Sequence, residues 1–73
     1  MLEIGSVVAK SAGRDAGKVG AVIKLIDDNF VMVDGFCRRK KVNIKHLVAL
    51  NRKIEIKEDA KREEIVPLLE KMV

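Results

Sequence analysis

Through its first fifty residues the chain alternates short apolar runs with clusters of glycine, aspartate, asparagine and charge. Residues 5–10, Gly-Ser-Val-Val-Ala-Lys, are bounded by turn formers, and 19–26 is a longer apolar run interrupted only by Gly20 and Lys24. The turn Asp27-Asp28-Asn29 leads into 30–33, Phe-Val-Met-Val, which Asp34-Gly35 closes. Residues 40–44 and 47–50 add two shorter candidates. Pieces of strand length, rich in β-branched residues and separated by turn chemistry, predict five strands. At spacings of about ten residues they fit a small all-β barrel or sandwich. A barrel closes its own edges and suits so short a chain.

Beyond residue 60 the period changes. Ile65, Leu68, Leu69 and Met72 stand at i, i+3, i+4 and i+7 and share one face of a helix. Glu63 and Glu64 near its start and Lys71 near its end complement the helix dipole. Pro67 has no amide hydrogen, so it fits the first turn and would break or kink a helix if placed deeper. A short or bent helix packed on the barrel is expected; the alternative is a tail that frays or docks only on a partner. The chain therefore divides into a barrel over 1–52 and a C-terminal extension over 53–73, together forming one domain.

Charge changes the picture more than size does. A domain of 73 residues buries only about 60% of the surface its unfolded chain exposes, so the core is thin. It must also be aliphatic, since Phe30 and Phe36 are the only aromatic residues. From Phe36 to Lys53 there are seven basic residues and no acidic one, whereas the rest of the chain holds eight Lys and Arg against eleven Asp and Glu. The formal charge of +4 thus comes from this block, which opens with Arg38-Arg39-Lys40-Lys41. Charge runs are commonly just solvated surface. Segregation to this degree suits a polyphosphate partner, because the attraction decays over a Debye length of about 8 Å.

The first loop carries a second cationic set. Gly13 and Gly17 permit turns with positive φ and close approach of a partner, and Lys10, Arg14 and Lys18 decorate the same stretch. A phosphate-binding P-loop is excluded, because no G-K-[ST] follows and the chain enters a strand. Cys37 has no internal disulfide partner, and one thiol beside one His falls short of a zinc pattern, so no metal and no cofactor are expected. A semi-buried structural thiol is the plain reading; a reactive one beside Arg38 is the alternative. Glu3 and Gly5 near the start, with no long apolar run, predict neither a secretory signal nor a membrane span, and a cytoplasmic protein.

These residues resemble known families. Residues 5–26 resemble the KOW motif, a glycine-centred loop between two strands of an SH3-like barrel. Residues 26–33, Ile-Asp-Asp-Asn-Phe-Val-Met-Val, and the run Arg38-Arg39-Lys40-Lys41-Val42-Asn43-Ile44-Lys45-His46-Leu47 are similar to the fourteen-e family of archaeal and eukaryotic large-subunit ribosomal proteins. Lys53-Ile54-Glu55-Ile56 and Glu63-Glu64-Ile65 fit it too. The resemblance implies an SH3-like barrel with a C-terminal helix that binds large-subunit ribosomal RNA beside neighbouring ribosomal proteins, without catalysis. The implied RNA contacts are Lys10, Ser11, Gly13, Arg14, Gly17 and Lys18 on the loop, and Arg38, Arg39, Lys40, Lys41, Asn43, Lys45 and His46 on the block. The sequence departs from the family at Pro67, at Val48-Ala49-Leu50, where relatives often place proline, and in lacking the basic tails of eukaryotic members.

Local alternatives accompany two of these positions. His46 can be a structural hydrogen-bond partner, and Asn43 can cap a turn. Ile44 and Leu47 are expected to face the core while Lys45 points outward. The mechanism expected is shape and charge recognition of folded RNA, with arginine favoured for bidentate contacts, and a docking edge built from Arg38, Arg39, Lys41 and Lys45. A monomer off the ribosome, no small-molecule substrate and no membrane partner complete the expectation. Three rivals stand behind it: a free-standing KOW protein of transcription or RNA handling, a peptide-binding SH3-like module, which would need an aromatic floor, and an enzyme, for which no catalytic constellation is present.

Overall fold

The computed structural model describes residues 2–72; Met1 and Val73, the outer ends of the two predicted segments, lie outside the described residues. The chain is mainly β. Five strands, β1 (Ser6–Lys10), β2 (Val19–Leu25), β3 (Phe30–Gly35), β4 (Lys40–Asn43) and β5 (Leu47–Lys53), precede one helix, α1 (Arg62–Glu70). All pairings are antiparallel, in the order β4-β3-β2-β1-β5. One turn of 3-10 helix, Ile44–His46, joins β4 to β5. The sheet curls through bulges between Val22 and Lys24 and between Ser6 and Val8, and β5 bends at Asn51, whose φ is 55°. Such bulges sharpen twist and curl the narrow sheet into an SH3-like, partly open barrel. Its edges, β4 and β5, do not pair with each other, so the expected closure of its own edges is not met by strand pairing.

Strand alternation divides the apolar residues between two cores. Val8, Val22, Val31, Val33, Cys37 and Val42 fill the barrel interior. Val7, Ala21 and Ile23 point the other way and meet Ile54, Ala60, Ile65 and Leu69 of the C-terminal segment. The tail is therefore part of the folded unit. Its backbone is stitched to the barrel by the Ile54 amide on the Gly5 carbonyl (2.9 Å) and the Asp59 amide on the Ile23 carbonyl (2.8 Å). Gly35 lets α1 come close: a Cβ there would lie 2.8 Å from Leu69 Cδ1 and 2.9 Å from Gly20 Cα.

The helix is short, as expected, with Ile65 and Leu69 buried and Leu68 packed at the margin; Met72, expected on the same helical face, packs there from the turn beyond the helix. Pro67 corrects the sequence reading. It is the sixth helical residue, beyond the first turn, and the helix continues to Glu70. Pro67 and Glu63 are both exposed, so the Glu63 carbonyl that loses its helical partner can face water, while Ile65 and Leu69 anchor the turns on either side. Ile44 is a second correction: it is 37% exposed, because the 3-10 turn breaks the strand alternation that would have pointed it inward. Leu47 does pack against the barrel core.

Asp34 ties these parts together. Its carboxylate, 2% exposed, accepts from Arg39 Nη1 and Arg62 Nε, each at 3.0 Å, and from the Gly35 amide at 2.8 Å. Arg39 Nη1 also donates to the Ala60 carbonyl at 3.0 Å. A buried carboxylate is tolerable only when paired and hydrogen-bonded in this way. Removing it releases two guanidiniums that are already part exposed, so the cost is the lost charge-assisted bonds and not a stranded cation. Asp34→Ala is expected to destabilise the fold by about 2–3 kcal/mol, a fall of about 10–20 °C in Tm for a domain of this size. Breaking the exposed Lys53–Glu3 pair by Lys53→Ala should barely move the melting curve. Thermal unfolding followed by circular dichroism checks both.

Candidate nucleic-acid interface

The two cationic segments read from the sequence meet in space. The loop after β1 is closed by the Gly17 amide on the Lys10 carbonyl (2.7 Å) and the Lys10 amide on the Lys18 carbonyl (3.0 Å). Within it the Ala16 amide reaches the Gly13 carbonyl (3.2 Å) and the Lys18 amide the Asp15 carbonyl (2.9 Å). Gly13 and Gly17 have φ of 86° and 87°, and a Cβ at either would meet nothing within 4 Å. Their role is conformational, and they leave bare backbone on the surface.

Two hydrogen bonds fasten this loop to the basic block. The Ser11 amide donates to the His46 carbonyl at 2.8 Å, and the Arg38 amide donates to Asp15 Oδ2 at 3.0 Å. Asp15 is 5% exposed and also lies 3.6 Å from Lys18 Nζ. The Arg38 amide, with help from nearby Lys18, Arg38 and Lys10 charge, holds its carboxyl below the usual range against the opposing effect of burial. Ser11, Gly13, Arg14, Gly17, Lys18, Arg38, Lys40, Lys41, Lys45 and His46 are exposed. The surface is thus assembled from segments more than twenty residues apart.

The cations on it are not equivalent. Lys10 is 9% exposed, and its side chain lies largely within the fold. Arg39 is committed to Asp34 and Ala60 and lies 4.0 Å from Asp59. Lys41 Nζ stands 4.6 Å from the centre of the Phe30 ring. Alternation along β4 places Lys40 on the face of Val42 and Lys41 on the opposite face, paired with Met32. The single docking edge of Arg38, Arg39, Lys41 and Lys45 is therefore corrected: Arg39 is held by Asp34 and Lys41 stands over the Phe30 ring, so within residues 11–18 and 38–46 the exposed cations with neither an ion pair nor a ring contact are Arg14, Arg38, Lys40 and Lys45.

Asn43 does what its turn alternative foresaw, accepting the Lys45 amide on Oδ1 at 2.9 Å to start the 3-10 turn. His46 contributes its backbone carbonyl to the loop clamp and is exposed. Cys37 is 2% exposed, and burial pushes its thiol pKa up, which leaves it an inert core residue. Asp15 and Asp34 were missed by sequence reasoning. Their only signal was an acid inside each otherwise cationic or apolar stretch. An open cleft of about 960 Å³, with Leu25, Ile26, Ile44 and Leu47 among its walls, includes no residue of the 11–18 loop. No group of three or more His, Cys, Asp or Glu among the described residues could hold a metal ion, and no helix is long and apolar enough to cross a membrane.

A small SH3-like barrel presenting a glycine loop and a cationic segment on one surface defines a class of compact, basic β-barrel proteins. Of the family models compared with the chain, none matches. Individual relatives do. Large ribosomal subunit protein eL14 of Methanococcus vannielii is 36% identical over 64 residues, spanning 88% of this chain and 83% of its own length. The protein of the same name from Pyrobaculum calidifontis is 39% identical over 75 aligned positions, 96% of this chain and 73% of its own. That from Desulfurococcus amylolyticus is 43% identical over 70, covering 89% and 73%. The chain belongs to the eL14 family of large ribosomal subunit proteins.

The Asp15 clamp makes a pH prediction. Because the folded-state carboxyl is held below its ordinary value of 3.8, the stabilisation is present above that value and is lost as pH falls through the lowered one. The Arg38 amide proton shift in ¹H–¹⁵N spectra should therefore titrate with a midpoint under 3.8. Asp15→Ala should abolish the step and speed exchange of that amide with solvent.

Proposed function

We propose that this protein is a structural, non-catalytic constituent of the large ribosomal subunit that binds ribosomal RNA through the clamped loop and basic block. The observation that carries this reading is the Asp15–Arg38 hydrogen bond together with the Ser11–His46 one, which turn two cationic segments into one pre-ordered surface. Membership of the eL14 family supplies the ribosomal setting. The protein acts in the cytoplasm on the ribosome, beside other ribosomal proteins, and is a monomer away from it.

Recognition works by charge and shape. Arg14, Arg38, Lys40 and Lys45 contact phosphates, with the guanidiniums suited to bidentate contacts. Bare backbone at Gly13 and Gly17 allows the RNA backbone to approach without a side chain in between. The amide of Asn43 and the ring of His46 lie within the same stretch and add polar contacts to ribose or base edges. Lys10 and Arg39 act from behind, the first within the loop's base and the second by holding the block to Asp34. Lys18 and Lys41 add to the field while already neighbouring Asp15 and the Phe30 ring.

Binding of large-subunit ribosomal RNA fragments should weaken steeply as salt rises. Arg14→Ala, Arg38→Ala and Lys40→Ala should each reduce the slope of log K against log salt by roughly 0.7–0.9, the value of one phosphate contact. Arg39→Ala should instead lower Tm, because it removes a partner of a buried carboxylate. Unchanged affinity and slope in all three cation variants would contradict the proposal.

A further inference from the structure

The two aromatic residues of the chain are treated oppositely by the fold. Phe30 is half-buried and carries the Lys41 ammonium 4.6 Å above its ring. Phe36 is 41% exposed. Isolated exposed apolar side chains are commonplace and usually mean nothing. The mounting of this one is different. Its neighbours Gly35 and Cys37 are buried, and its own amide donates to the Val19 carbonyl at 3.0 Å. Two residues on, the Arg38 amide is held by Asp15. The ring therefore projects from an ordered backbone at the seam of the interface, where the end of the glycine loop at Lys18-Val19 meets the start of the basic block.

An exposed aromatic ring two residues before Arg38, on backbone bonded to the residue after Lys18, matches the chemistry of an unpaired nucleotide. The base offers a π face for stacking, and the flanking phosphates lie within reach of a neighbouring Arg or Lys. A continuous duplex offers no such face, because its bases are stacked on one another. We propose that Phe36 stacks on an unpaired base, so that the RNA element bound by this surface is a bulge, a loop or a strand end instead of uninterrupted helix. This rests on the RNA-binding reading above and adds to it the kind of nucleotide engaged.

The experiment uses the full chain and large-subunit ribosomal RNA fragments transcribed in vitro. Phe36→Ala should lower affinity about 5- to 150-fold, the range for one base–aromatic stack, while leaving the salt slope unchanged because no phosphate contact is lost. Phe36→Trp gives the chain its sole tryptophan; its fluorescence should be quenched by the bound fragment at near-native affinity, and not by a fully paired RNA stem. If Phe36→Ala binds as tightly as the native chain while Arg38→Ala and Lys40→Ala bind weakly, the stacking proposal falls and the charge reading stands. If the cation variants are silent as well, both fall. Should Phe36→Ala fail to fold, the Trp variant decides: unquenched fluorescence in a saturated complex overturns the proposal.

Discussion

The carboxylate of Asp34 is the interaction on which the rest of this structure depends. A thin aliphatic core that buries neither phenylalanine fully has little bulk to hold a nine-residue helix and an irregular connection in place. Asp34 supplies a polar substitute. From β3 it reaches Arg39 in the basic block, Arg62 at the start of α1 and, through Arg39, the carbonyl of Ala60. Burial raises the value of each of these bonds, because none of the alternatives available to the carboxylate inside the fold is water. The same contacts sort the cations. Arginines spent on Asp34 organise the protein, and those left without an acidic partner define what the surface can attract.

A second buried carboxylate repeats the logic at the candidate interface. Asp15 lies in a loop whose other charges are positive, and a purely electrostatic surface would be stronger without it. Its hydrogen bond to the Arg38 amide shows what it contributes instead. The bond fixes the start of the block relative to the glycine loop, so the candidate surface is ordered in the free protein, and the proposed association would lose less ordering entropy. Affinity from charge is exchanged for preorganisation. That exchange suits the proposed recognition of one folded RNA shape.

The strands were legible because each depends on local pattern and punctuation, and 5–10, 19–26, 30–33, 40–44 and 47–50 each contain or overlap an observed strand. The helical face of Ile65 and Leu69 was legible for the same reason. What could not be read were the long-range choices. Whether Asp34 closes a turn or anchors two arginines is decided by residues 5 and 28 positions away. Consecutive Lys40 and Lys41 look alike in sequence, yet pairing with β3 sends them to opposite faces. Strand alternation alone would point Ile44 inward, but the strand ends one residue earlier, in a turn that Asn43 starts. Pro67 sat deeper than propensity allows because burial on both sides outweighed one missing hydrogen bond.

Chemical-shift mapping of the ¹⁵N-labelled protein against a large-subunit ribosomal RNA fragment tests the central claim most directly. Perturbations at saturation are expected to fall together on residues 11–18 and 36–46, across both sides of the Asp15–Arg38 clamp, with α1 and the exposed face of β5 at Val48 and Leu50 unmoved. Perturbations concentrated on α1 or β5, with the loop and the basic block silent, would contradict it.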